Sequence, residues 1–199
     1  MKLSISVMAH PSRQENFEYL KSKLGDVPFS IDYKSEGEWT NCKRAWMMFD
    51  PAAEWHVVIQ DDAIIPNNFI KLAEDVIDKA KEILKVEDYV CNFYFGRNRA
   101  STPIGDEAIK VGYWINGYPK WGVAICIQTK FIKEMIAFGD KLHGPDYGTK
   151  DDARIAKFIG SKKMRVYFPM PSIIDHRHGK SLVGDPGENR GAYKFIENI

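Results

Sequence analysis

The chain has 199 residues, 44% of them hydrophobic and 28% charged, with a net charge of +1. That balance excludes an intrinsically disordered chain and any strong general attraction to polyanions, and the length suits one domain, residues 1–199, with a real core. No apolar run approaches the ~20 residues that cross a bilayer, and "MKLSISVMAHPSR" lacks the apolar stretch of a secretory signal, so a cytoplasmic protein without a membrane span is expected.

In chain order, "LSISVMA" alternates and is rich in β-formers, which predicts a first strand. A helix should follow, with Ser12 as N-cap, Glu15 as its capping-box partner, an apolar stripe of Phe17, Leu20 and Leu24, and Gly25 closing it. "FSIDYK" reads as a second strand, and "TNCKRAWMMF" as a helix behind a Thr40 cap that ends before Asp50-Pro51. "WHVVIQ" is an uninterrupted apolar run of the kind found in central strands covered on both faces. After Pro66, Phe69, Leu72, Ala73, Val76, Ile77, Ala80, Ile83 and Leu84 share one helical face, with Asn67 or Asn68 as cap. "DYVCNFYF" predicts another strand, and residues 96 to about 109 a polar, Gly- and Pro-containing loop, mobile or substrate-facing. "VGYWI" and "GVAICIQ" read as two strands about the turn "NGYPKW", a hairpin-like pair, before a helix capped by Thr129 that ends at Gly139. A short helix from Asp151 and the strand "MRVYFP" come last, with residues 172–199 as a loop or lid. Strand and helix alternate through the first half, so the expected fold is α/β: a mixed, mainly parallel sheet flanked by helices. Cys42, Cys91 and Cys126 are odd in number, far apart and without a CxxC pair, which points to buried thiols.

Ligands of such sheets bind beyond the carboxyl ends of the strands, which is where Asp61 and Asp62 fall. Hard divalent cations take oxygen ligands, one or two carboxylates with substrate phosphates being a usual set, and an acidic pair on a rigid strand end supplies it. The plainer role, capping the next helix, has better candidates in Asn67 and Asn68. Asp151 and Asp152 open a helix, where acids favour the dipole; a carboxylate there can equally take a proton from a hydroxyl, and Asp152 is the preferred base over Asp151. In "DHRHGKS", His176 and His178 sit in a Gly-containing loop beside Arg177 and Lys180, a composition suited to a metal or an anion. "AHPSR" after the first strand offers backbone amides and the Arg13 guanidinium to a nucleotide or phosphate. The GxGxxG, GxxxxGK[ST], GxSxG and HExxH patterns are absent from the sequence.

Taken in order, "AHPSR", "NCKRAW", "VVIQDDAIIP", "KWGVAICI", "GTKDDARIA" and a late histidine resemble the nucleotide-sugar-dependent glycosyltransferases of the GT-A fold, in the small single-domain form of phages and bacteria. The resemblance implies a Mn2+ or Mg2+ ion on Asp62, with Asp61 supporting it or holding the donor, and His176 or His178 as a C-terminal metal ligand. It further implies that His10, Pro11, Arg13, Asn41 and Arg44 hold a nucleoside-diphosphate sugar, a UDP-sugar being favoured, and that Asp151 or Asp152 is the base of an inverting displacement. "QDD" departs from the Asp-x-Asp motif in having an acid at two of its three positions, which leaves open which aspartate binds the metal. Trp114, Tyr118 and Trp121 beside a turn are candidate acceptor platforms, for a saccharide or a modified DNA base. Three rivals share the residues: a nucleotidyltransferase; a metal-dependent phosphoesterase or nuclease using Asp61, Asp62, Asp152 and His176; and a binding module stacking on Trp39, Trp114, Tyr118 and Trp121.

Overall fold

A computed structural model of the chain describes residues 2–97, 102–143, 150–177 and 191–198. In chain order the elements are β1 (Leu3–Ala9), α1 (Gln14–Leu24), β2 (Phe29–Ile31), α2 (Glu38–Met47), β3 (Trp55–Gln60), β4 (Ala63–Ile64), α3 (Phe69–Leu84), β5 (Tyr89–Asn92), α4 (Thr102–Val111), β6 (Tyr113–Asn116), β7 (Ala124–Gln128), α5 (Ile132–Asp140), α6 (Asp151–Ser161), β8 (Arg165–Pro169) and β9 (Asp175–His176). Seven strands form one mixed sheet in the order β2-β1-β3-β7-β5-β8-β6, and β4 pairs with β9 as a separate two-stranded ribbon. The pairs β1–β2, β1–β3 and β5–β8 are parallel, while β7 runs antiparallel to both β3 and β5 and β6 antiparallel to β8.

The apolar run of β3 requires cover on both faces, and it has it. Val57 and Ile59 join one core with Leu20 of α1 and Phe69 and Ile77 of α3, while Val58 joins a second with Trp46 of α2, Met135 of α5 and Phe158 of α6. Burial of a large apolar side chain contributes about 1.5–3 kcal/mol, against about 1 kcal/mol for an N-cap, so packing decides where α3 sits. Asn68 stands at its N-cap position without a side-chain cap bond, and Asn67 instead accepts from the Lys23 ammonium.

Five expectations are corrected. Helix α1 is preceded by a 3-10 turn, Pro11–Arg13, in which the His10 ring rather than Ser12 does the capping, accepting from the Ser12 amide at 3.2 Å. Helix α2 begins at Glu38, so Thr40 lies inside it. The stretch expected to be a loop contains α4, whose Pro103 is tolerated in a first helical turn and whose Gly105 is dictated by packing: a Cβ there would lie 2.7 Å from the Tyr193 ring. Strands β6 and β7 do not form a hairpin, because β7, buried along almost its whole length, inserts between β3 and β5, while half-buried β6 takes the sheet edge. Nor is the end of the chain all loop: His176 pairs with Ala63, and Ala192 and Phe195 are buried in the core. Among the described residues, no helix is long and apolar enough to cross a membrane, and all three cysteines are buried free thiols.

Candidate active site

Strands β1 and β3 run parallel with Met8 opposite Gln60, so both chains leave the sheet at the same edge and bring His10 beside Asp61. The Asp61 amide donates to the Met8 carbonyl at 3.0 Å. In return the His10 amide donates to Asp61 Oδ2 at 2.7 Å, and Arg13 Nη1 donates to Asp61 Oδ1 at 2.8 Å and to Asp62 Oδ2 at 2.5 Å. Asp61 and Asp62 are 4% and 7% exposed, so these contacts are made largely out of water. Burial pushes the Asp61 carboxyl up despite the His10 amide and Arg13. Burial also presses on Asp62, but the hydrogen bond and charge of His176, followed by Arg13, outweigh it and hold that carboxyl below the usual range.

The β4–β9 ribbon is what brings His176 here. Its Nε2 lies 3.2 Å from Asp62 Oδ2, its Nδ1 is 2.7 Å from the Arg177 carbonyl, and the Arg177 amide donates to the Asp62 carbonyl at 2.8 Å. With Nδ1–H donated to that carbonyl, Nε2 is the ring nitrogen facing Asp62: as N–H it donates to Oδ2, and with that proton displaced the same nitrogen would face a metal ion. Asp62 Oδ1 is buried without a hydrogen-bond partner among the described residues. Two ligands at about 2.1 Å from one ion and at right angles lie about 3 Å apart, so Asp62 and His176 fit a hard divalent cation completed by phosphate oxygens and water. Among the described residues no group of three such ligands converges; the fit depends on ligands a substrate would bring. His178 lies outside the described residues.

A second acidic group stands across the same edge. The Gln60 amide donates to the Val123 carbonyl at 2.9 Å, which fixes Gly122 above the end of β3. A Cβ on Gly122 would lie 3.2 Å from Gln60 Nε2, 3.4 Å from Asp152 Cβ and 3.8 Å from Asp151 Oδ1, so this glycine is the seam between Gln60, the residue that leads into Asp61-Asp62, and the start of α6. Asp151, 5% exposed, accepts from the Asp152 amide at 2.7 Å and is hydrogen-bonded by Cys42 and Glu38, which share a face of α2 one turn apart. Burial, then the neighbouring Asp152 charge, pushes Asp151 up to about 7; burial, then Asp151 and Asp152, pushes Glu38 up to about 8. Two carboxyl groups can hydrogen-bond only if one carries a proton, so Glu38 and Asp151 hold one between them. Asp152 is less buried, and burial raises it as well.

Glu38 is the residue that sequence reasoning passed over. An acid in a first helical turn reads as dipole compensation, and its one signal was the four-residue spacing to Cys42.

The other candidates lie at varied distances from this edge. Asn41 is buried, its Nδ2 donating to the Ala9 carbonyl at 2.9 Å and its Oδ1 accepting from Ser30 Oγ at 2.6 Å, so it ties β1 to β2. Arg44 is paired with Glu36 and lies 3.6 Å from Asp32, at the end of β2. Pro11 opens the turn that carries Arg13. Trp114 and Trp121 both pack on Phe95, at 5.2 and 5.0 Å between ring centres, with Lys120 Nζ 5.3 and 5.7 Å above their rings. Trp121 also meets Tyr94 at 6.0 Å, and Tyr94 meets His176 at 6.1 Å, so this aromatic shelf adjoins the Asp62 side of the edge. Tyr118 is 48% exposed. Trp39 is buried, with its Nε1–H given to Asp140 at 2.9 Å and the Arg154 guanidinium over its ring, an anchor rather than an open platform. His56, at the far end of β3, is held between Ser4 and Ser6, and burial pushes it down to about 4.

No family model and no curated protein matches the chain in sequence. Among solved structures, the crystal structure of A197 from STIV is similar at 12% identity and a TM-score of 0.49, covering 89% of this chain and 86% of that one. A glycosyltransferase involved in the glycosylation of the major capsid of PBCV-1 is similar at 14% identity and a TM-score of 0.36, covering 68% of this chain and 66% of that one. Likenesses this distant leave the chemistry to be argued from the residues of this chain.

Proposed function

We propose that the chain is a metal-dependent glycosyltransferase that moves a sugar from a nucleoside diphosphate, UDP favoured, to an acceptor hydroxyl. The observation that carries this reading is the pairing of two unlike acidic stations on one strand edge: Asp62, met by Arg13 and His176, and Asp152, backed by the proton-holding pair Asp151 and Glu38. A transfer of this type needs positive charge where the diphosphate departs and a base where the acceptor is deprotonated.

Asp62 and His176 would hold a Mn2+ or Mg2+ ion, which supplies charge for the departing diphosphate. Arg13 reaches the same place and offers the planar donor pattern that suits phosphate oxygens. His10 and Pro11 keep the loop after β1 in position, the former through its backbone contact with Asp61. Asp152 takes the proton of the acceptor hydroxyl as that oxygen bonds to the anomeric carbon; the bond from carbon to phosphate oxygen breaks, and its electron pair leaves with the diphosphate, with inversion. Asp151 stands behind Asp152, accepting from its backbone amide and fixing the start of α6. The shelf of Trp114 and Trp121, with Tyr118 at the turn, offers apolar faces for an acceptor sugar or base beside the metal station.

The test is calorimetric titration of the chain with UDP and UDP-sugars, with Mn2+ present and then chelated. Binding that depends on the metal is the expected result. Absence of binding in both conditions, together with hydrolysis of a phosphodiester, would move the assignment to a phosphoesterase.

A further inference from the structure

Arg13 places one nitrogen, Nη1, against both carboxylates, 2.8 Å from Asp61 Oδ1 and 2.5 Å from Asp62 Oδ2. The Arg13 side chain is 17% exposed, so the ion pair is poorly screened. Asp62 Oδ2 is thus the oxygen shared by Arg13 and His176, while Oδ1 has no partner among the described residues. A cation seated on Asp62 Oδ2 and His176 Nε2 would compete with the guanidinium for that shared oxygen. Two positive groups cannot share one buried oxygen without repulsion. A diphosphate removes the conflict, because its oxygens accept a guanidinium as well as a carboxylate does.

We infer that Arg13 is a resident counter-ion, which neutralises Asp61 and Asp62 in the free protein and passes to the diphosphate when a divalent cation arrives, so that cation and diphosphate bind cooperatively. The inference rests on the reading of this edge as a cation and diphosphate site. By linkage, the factor by which UDP tightens Mn2+ equals the factor by which Mn2+ tightens UDP. Arg13 also serves selectivity: a guanidinium parked on the carboxylates keeps them from taking a cation that arrives without its substrate.

The experiment is titration calorimetry of the full chain with MnCl2 alone, with UDP alone, and with MnCl2 in the presence of saturating UDP, on the natural sequence and on Arg13→Gln. The natural protein should bind Mn2+ weakly alone and about tenfold more tightly with UDP. In Arg13→Gln, Mn2+ alone should bind about tenfold more tightly than in the natural protein, because two carboxylates have lost their counter-ion, and the enhancement by UDP should shrink towards one. Mn2+ should also raise the melting temperature of the variant more than that of the natural protein. Equal or weaker Mn2+ binding by the variant, or an undiminished enhancement by UDP, overturns the inference while leaving the glycosyltransferase reading standing. Tighter Mn2+ binding by the variant with no UDP binding by either protein supports the counter-ion role and overturns the donor reading. If Arg13→Gln fails to fold, Arg13→Met, which keeps the apolar stem and loses the charge, replaces it, with the same expected and overturning results.

Discussion

Asp62 and Asp151 make an instructive pair. Each is a buried aspartate with a second aspartate beside it in sequence, and they flank the same strand end, yet they lean in opposite directions. Asp62 has Arg13 and His176 for neighbours, and its carboxyl is held below the ordinary range although burial opposes this. Asp151 has Glu38, Asp152 and a thiol for neighbours, with no cation bonded to it among the described residues, and burial followed by the Asp152 charge sends it up to about 7. Burial is common to both; the partners decide the sign. An acidic pair in a sequence therefore says little about charge state until its spatial neighbours are known.

The contrast can be broken at either end. The largest effect is expected at the base. Asp152→Asn should lower kcat by about 10²–10⁴ while UDP affinity stays unchanged, since a general base acts in the chemical step and not in donor binding. Next, Asp62→Asn should weaken Mn2+-dependent UDP binding by more than about a hundredfold, read by calorimetry, with an unchanged far-ultraviolet circular dichroism spectrum. An Asn there with undiminished affinity would remove Asp62 from the metal station.

A smaller effect concerns pH. Glu38 and Asp151 keep a proton in the folded chain up to about pH 7–8, whereas the unfolded chain releases it near pH 4. The unfolded state therefore binds fewer protons across that window, and stability falls as pH rises through it. Glu38→Gln removes one of the two acids, so its melting temperature should exceed that of the natural chain by about 3 °C at pH 8.5, with the gap closing by pH 4. Identical pH profiles would mean that the two carboxyl groups do not share a proton. The smallest effect is expected at the seam. Gly122→Ala puts a methyl 3.2 Å from Gln60 Nε2 and 3.4 Å from Asp152 Cβ. The amide end of a glutamine can yield, so kcat should fall only about threefold, with Mn2+-dependent UDP binding retained.

What the sequence discloses divides along physical lines. Strands β1, β3, β5, β7 and β8 and helix α3 were legible because each is a local apolar pattern whose period survives folding. Helix α4 was not, because Thr102, Pro103 and Gly105 are turn signals taken alone; Gly105 makes sense only once Tyr193, far along the chain, lies against it. The apparent hairpin failed for a related reason: nearness in sequence cannot tell that β7 is wanted between β3 and β5. For the site, the adjacency of Asp61 and Asp62 at a strand end was local and readable. The contacts that set their charge come from Arg13 and His176, and the partner of Asp151 comes from Glu38, all remote in sequence.

The pairing of Ala63 with His176 also bears on when the site comes into being. Contacts between positions so distant along the chain have a large loop-closure cost, which delays them relative to the local β1–α1–β2 contacts. A nascent chain can therefore lay down the first three strands and set Asp61 beside Arg13 well before residue 176 has been made. Until then Asp62 lacks its histidine, so the cation site proposed for this edge would be completed late in folding, when β9 finds β4.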